Sequence, residues 1–319
     1  MKLLNAALTI AATAGLIELG IGYAFFKIAL GSKKREDPTV PCKDSLFERN
    51  ADNVNLVNGY NWFDNTPHDE LIIPSREKGV NLHGHYFKGE NNKLWAITIH
   101  GWTNINREMS PYALEYNKRG YNVIIPDLRG HGNSETKYVS MGWLDRLDIK
   151  TWIDYIISKE PDAQIVIHGV SMGSATTMMT TGEDLPNNVV CAVADCGYTG
   201  VYDIFEDQAR RKYKIPPAIA MPPASLFNKI FNGFTFKEAS TVEQLKKSKT
   251  PTLFIHGDKD DFVLPENLDK VYDACAAEKE KKVMVGAEHA VSALWFHDEY
   301  WETVDNFLAK HVKTETAVV

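Results

Sequence analysis

The chain has 319 residues, 44% of them hydrophobic, enough for one sizeable α/β core with an appendage. Its net charge of −7 argues against nucleic acid as a partner. The four cysteines, Cys42, Cys191, Cys196 and Cys275, lack metal-type spacing; Cys191 and Cys196 lie an odd number apart in one predicted strand, so they face opposite sides and are expected as free buried thiols.

Leu3 to Leu30 is largely apolar, interrupted mainly by Glu18 and Lys27. As a helix it reaches about 42 Å against a hydrocarbon core of about 30 Å, which predicts an uncleaved single-pass transmembrane anchor over residues 1–32. Ala12-Thr13-Ala14 resembles a signal-peptide cleavage site, but cleavage there would leave Leu16 to Leu30 as an apolar N-terminus. Lys33-Lys34-Arg35 follow, so the positive-inside rule puts the body of the protein in the cytoplasm, at the cell membrane. Residues 33–69 read as a polar tether with one short helix near Asp44–Asn50.

From residue 70 the pattern changes, and a domain over 70–319 is expected. Leu71-Ile72-Ile73 and Val80 to Tyr86 read as two strands joined by a turn at Glu77-Lys78-Gly79. Strands and helices then alternate: strand 94–99, helix 109–119 ending at Gly120, strand 121–126, helix 143–158, strand 164–168, helix 174–181 and strand 189–194. This rhythm indicates βαβ units and a mostly parallel sheet, an α/β fold. It breaks between Tyr198 and Ser248, where Pro216-Pro217 and Pro222-Pro223 punctuate a helical cap insertion over about 199–248. Phe227, Phe231, Phe234 and Phe236 there, with Met221, either line an apolar acyl pocket or form the cap's own small core, the second reading being preferred. Alternation resumes with strand 252–256, helix 265–278, strand 282–285 and helix 298–311.

Residues 169–173 read Gly-Val-Ser-Met-Gly, after an apolar strand and before a helix. That is the G-x-S-x-G nucleophile elbow in its strand–turn–helix context, and it names Ser171 as a nucleophile. Side chains flanking so tight a turn would clash with the neighbouring strand and helix, and Gly169 and Gly173 remove them. The helix that follows aims its free N–H groups at the site, and the amide of the residue after the nucleophile, Met172, is an oxyanion donor.

A serine nucleophile needs a base, and the base needs an orienting acid. At the strand edge where open α/β sheets bind ligands stand His256-Gly257-Asp258-Lys259-Asp260-Asp261-Phe262-Val263 and, one strand later, Glu288-His289-Ala290. With the elbow and this serine–acid–histidine order, the chain resembles a serine hydrolase of the α/β-hydrolase superfamily. It is most similar to bacterial membrane-anchored members whose substrates are unassigned, over about residues 70–311. The resemblance implies a twisted, mostly parallel sheet flanked by helices. It also implies Asp260 as the acid, His289 as the base and the Trp102 amide, in His100-Gly101-Trp102, as the second oxyanion donor. Asp258 and Asp261 are then turn-forming or solvated. His100, His131, His168, His256 and His297 are the rivals of His289; the first, third and fourth end strands, where histidines bond neighbouring loops.

The expected chemistry is hydrolysis of a carboxylic ester through an acyl-enzyme, with no metal and no organic cofactor. An acyltransferase or a peptidase would use the same triad. A non-catalytic binding protein is disfavoured because every triad member is present. The expected partner is a small-molecule or lipid-like ester.

Overall fold

The computed structural model describes residues 2–34 and 46–313. Cys42 and part of the expected tether lie outside them.

The chain begins with α1 (Lys2–Leu30), then α2 (Leu46–Arg49) and α3 (Val54–Asn65). β1 (Asp69–Pro74), β2 (Asn81–Phe87) and β3 (Leu94–Ile99) follow, then a 3-10 turn at Asn106–Met109, α4 (Ser110–Lys118) and β4 (Asn122–Pro126). Next come α5 (Asp145–Lys159), β5 (Gln164–Val170), α6 (Met172–Thr181) and β6 (Val189–Asp195). The cap contributes α7 (Val201–Arg211), α8 (Pro217–Asn232) and α9 (Thr241–Leu245). β7 (Thr252–Gly257), α10 (Glu266–Ala274), β8 (Lys279–Met284), α11 (Ser292–Trp295) and α12 (His297–His311) complete the described chain.

The eight strands form one sheet in the order β1-β2-β4-β3-β5-β6-β7-β8. β2 pairs antiparallel with β1 and β4, and all other pairs are parallel. Helices cover both faces, so the inner strands are apolar throughout: every residue of β3, β4 and β7 is buried. Alternation then sorts their side chains. Leu94 and Ala96 of β3 pack with Tyr112 and Tyr116 of α4 and Phe307 of α12, whereas Trp95, Ile97 and Ile99 pack with Ile149 and Trp152 of α5 and Met172 of α6.

Three local findings depart from the sequence expectation. β8 starts earlier than expected because Lys-Glu-Lys-Lys lies on the sheet's edge, where charged residues stay in water. α3 is Asn-rich, yet Leu56, Gly59 and Phe63 are buried and a β-carbon on Gly59 would meet Pro111 N at 2.5 Å, so α3 lies directly on α4. Pro222 and Pro223 lie inside α8, not at a joint.

The transmembrane anchor is corrected: among the described residues no helix is long and apolar enough to cross a membrane. The last turns of α1 are apolar for an internal reason. Phe25, Phe26, Ala29 and Leu30 are buried in the main core with Met221 and Ala224 of α8. The two helices cross at Gly22, where a β-carbon would stand 2.4 Å from Pro223 Cγ. Aromatic rings complete the seam, Tyr23 edge-on to Phe227 at 5.1 Å and Phe26 stacked on Phe231 at 5.4 Å between ring centroids. Past α1, Val139 N–H donates to Leu30 O (2.8 Å) and Lys33 N–H to Gly130 O (2.7 Å), lacing the chain onto the loops after β4.

Candidate active site

β5 runs into Ser171, and α6 starts one residue later. Ser171 has φ 58° and ψ −116°, a left-handed conformation that strains a non-glycine residue. Its neighbours make the turn possible. A β-carbon on Gly169 would sit 2.0 Å from Gly173 O, and one on Gly173 would sit 2.0 Å from Ile99 O. No side chain fits at either place. The Ser171 amide donates to Asp195 O at 2.9 Å, tying the elbow to the end of β6.

The structure brings Ser171, His289 and Asp260 together. Ser171 Oγ lies 2.8 Å from His289 Nε2, and His289 Nδ1 lies 2.7 Å from Asp260 Oδ2. The loop after β7 holds Asp260 fully buried, its other oxygen accepting from Phe262 N–H (2.9 Å) and Val263 N–H (2.8 Å). Burial raises this carboxyl, but the His289 charge and the bonds from His256 and His289 outweigh it and hold the group well below the usual carboxylate range. The ring of Phe262 covers the imidazole of His289 at 5.0 Å between centroids.

The flanking acids do other work. Asp258 Oδ1 accepts from Gly286 N–H (2.6 Å), closing the turn that presents His289, and Asp261 is exposed. His256 stands behind the acid, its Nε2 2.8 Å from Val263 O and 3.1 Å from Asp260 Oδ2. His100 Nε2 accepts from Leu128 N–H at 2.9 Å, and His131 Nε2 from Thr103 N–H at 3.2 Å. His168 is held between the hydroxyls of Tyr116 and Tyr300, and burial pushes its imidazole down to about 3. His297 lies beside Glu115 and Asp298 at 3.4 and 3.2 Å.

The two main-chain amides expected as oxyanion donors belong to Met172 and Trp102. Met172 opens α6, and neither its amide nor that of Trp102 has a hydrogen-bond partner among the described residues. The Trp102 loop lies close to the serine: a β-carbon on Gly101 would be in ordinary contact with Ser171 Cβ at 3.4 Å. Cys196 Sγ, an Asp260 oxygen and a His289 nitrogen lie within 4.8 Å of one another. Burial pushes the Cys196 thiol well up and both His289 nitrogens are already bonded, so these three are poor metal ligands as they stand.

Ser171 opens into a small apolar cavity of about 40 Å³. Ile204 and Phe205 of α7, Tyr213 beyond it, Met141, and Phe25 and Ala29 of α1 form its walls. The phenylalanines of α8 and its C-terminal loop are not among them. Phe234 and Phe236 are buried in the main core together with Met221, not in a small core of the cap's own, and Phe227 and Phe231 pack on α1. The contribution of α1 carries no local signal: a glycine within an apolar helix reads equally well as part of a membrane segment.

An eight-stranded sheet in this order, with a serine on a strained turn after β5 and a histidine and a carboxylate at the same edge, defines a serine hydrolase of the α/β-hydrolase superfamily. Within that class, the profile of the prolyl oligopeptidase family matches residues 108–315, more than half of the chain, and the protein belongs to that family. It is similar to the uncharacterized protein YqkD of Bacillus subtilis, 26% identical over 291 residues that cover 91% of this chain and 92% of that one. It is also similar to a thermostable monoacylglycerol lipase of Bacillus sp. strain H-257, 26% identical over 70% of this chain and 94% of the lipase. Among solved structures, a Pyrococcus furiosus esterase superposes with a TM-score of 0.63 at 24% identity, covering 78% of this chain and 92% of the esterase. An acylaminoacyl peptidase of Pyrococcus horikoshii gives 0.59 at 18% identity, over 81% of this chain and 44% of the peptidase. At these identities the structural likeness speaks for the fold.

Proposed function

We propose that the protein hydrolyses carboxylic esters with an apolar acyl group, using Ser171 as nucleophile, His289 as base and Asp260 as orienting acid. Ser171 Oγ attacks the ester carbonyl carbon as His289 Nε2 takes its proton. The Met172 and Trp102 amides hold the oxyanion, and Asp260 stabilises the imidazolium through Nδ1. Collapse releases the alcohol, which leaves with the proton from Nε2, and an acyl-Ser171 ester remains. Water then attacks that ester with His289 as base, releasing the acid and restoring the serine.

The observation that carries the ester reading is the cavity. Its lining beside Ser171 is apolar, with Phe25 and Ala29 of α1 and Ile204 and Phe205 of α7 among the residues that face it. Such a lining suits an apolar acyl group, since it offers few polar partners to a peptide backbone. The monoacylglycerol lipase among its relatives accords with this reading. Membership of the prolyl oligopeptidase family supports a second one, cleavage of short acyl-peptides by the same residues.

Nitrophenyl esters and acyl-peptide nitroanilides offered side by side separate the two. We expect ester turnover, and we expect Ser171→Ala to reduce it by on the order of 10⁶-fold while the chain stays folded. A folded Ser171→Ala protein with undiminished turnover overturns the assignment. Anilide turnover with inert esters replaces the ester reading by the peptidase one.

A further inference from the structure

We infer that the N-terminal helix is part of the substrate site, and that Phe25 and Ala29 set the length of the acyl group accepted. The inference rests on the ester reading above and goes beyond it by assigning a specificity wall to a segment outside the residues matched by the family profile.

The helix is docked at a fixed depth. Gly22 allows α1 to touch Pro223 of α8, and Phe26 and Leu30 are completely buried beside it. Phe25 and Ala29 are four residues apart, hence on one face and one turn from each other. Both line the cavity that holds Ser171. The Phe25 ring stands edge-on to Phe205 at 5.7 Å and to Tyr213 at 5.9 Å, so aromatic rings from α1, α7 and the segment after α7 meet on the wall of the cavity. One turn later the wall carries only the methyl group of Ala29.

The same turn meets the predicted oxyanion loop. Trp102 Nε1–H donates to Ala29 O at 2.9 Å, and Lys33 Nζ lies 4.8 Å from the Trp102 ring centroid. The Trp102 indole, itself on the wall of the cavity, is therefore held by α1. Acyl-chain space and oxyanion donor share one support, and a residue that enlarges or fills that space acts on chain length before it acts on chemistry.

The test is a chain-length series of nitrophenyl esters, acetate to octanoate, on the full chain, with kcat and KM read separately. Ala29→Trp is expected to lower kcat/KM for hexanoate relative to acetate by about tenfold or more, since one methylene in an apolar pocket changes discrimination by roughly 10–200-fold. Ala29→Val, a smaller step that the fold tolerates more readily, moves the ratio in the same direction. Phe25→Ala moves the preference the opposite way, toward longer chains. Opposite shifts from two neighbouring positions are not a signature of general destabilisation. Leu16→Ser, at a site 70% exposed on α1, leaves the profile unchanged. An unmoved profile in folded Ala29 and Phe25 variants of an active esterase overturns the inference alone. A wild-type chain that turns over none of the esters overturns the ester reading and this inference with it.

Discussion

Asp195 closes β6 and Asp260 stands in the loop after the neighbouring β7; both carboxyl groups are buried, and they are driven in opposite directions. Asp260 has two backbone donors and an imidazole on either side. Asp195 has burial as its dominant influence, with His256 pulling against it, and its carboxyl is pushed up to about 6 from 3.8. The folded value lies above the unfolded one, so the folded chain carries an extra proton between about pH 4 and 6. Stability therefore falls as pH rises through that window, and above it the cost is on the order of 3 kcal/mol. We expect Asp195→Asn to unfold at a higher temperature than the parent at pH 8 and at nearly the same temperature at pH 3.5. A melting difference that ignores pH would refute this. Ser171 was legible in the sequence because a tight turn leaves local marks, the glycines at 169 and 173, whereas His289, after a strand end, was singled out from its rivals by the family resemblance. Asp195 and Phe25 left none, since what distinguishes them is their surroundings, supplied by residues far away in the chain.

At the level of elements, α1 and α8 act as a pair. Their crossing depends on one missing side chain, and Gly22→Leu would force a branched residue into the space of Pro223. Overpacking of this kind costs about 1–3 kcal/mol. The expected result is a lowered melting temperature together with faster proteolysis around Ser32–Lys34, where Lys33 N–H is otherwise tied to Gly130 O; unchanged cleavage would show that the crossing does not hold the helix. Central strands were readable as unbroken apolar runs because helices bury both of their faces. α3 was hidden, its three inward positions including a glycine that no hydrophobic pattern registers. The apolar run of α1 predicts a helix correctly but not its partner, because burial in protein and burial in lipid select the same residues.

For the whole molecule, protection should follow the sheet from its middle outward. β3 and β4 are buried along their full length and flanked by paired strands, whereas β8 is largely solvent-facing and β1 has one buried residue of six. Amide hydrogen exchange is expected to be slowest in β3, β4 and β5 and fastest among the strands in β1 and β8; slow exchange at the edges would contradict a single cooperative core. The fold class and the three-residue constellation were readable over the alternating region, where each βαβ unit repeats the same local rules. The walls of the pocket were not, because they join the start of the chain to its cap. That junction also dictates an order of assembly. Phe25 emerges from the ribosome long before Pro217–Asn232 has been made, and at roughly 5–20 residues per second the wait is on the order of 10–40 s. Most strands of the sheet can be laid down in that interval while α1 still lacks its cover. The cavity beside Ser171 is thus among the last features to form, closed by a helix synthesised well before α8.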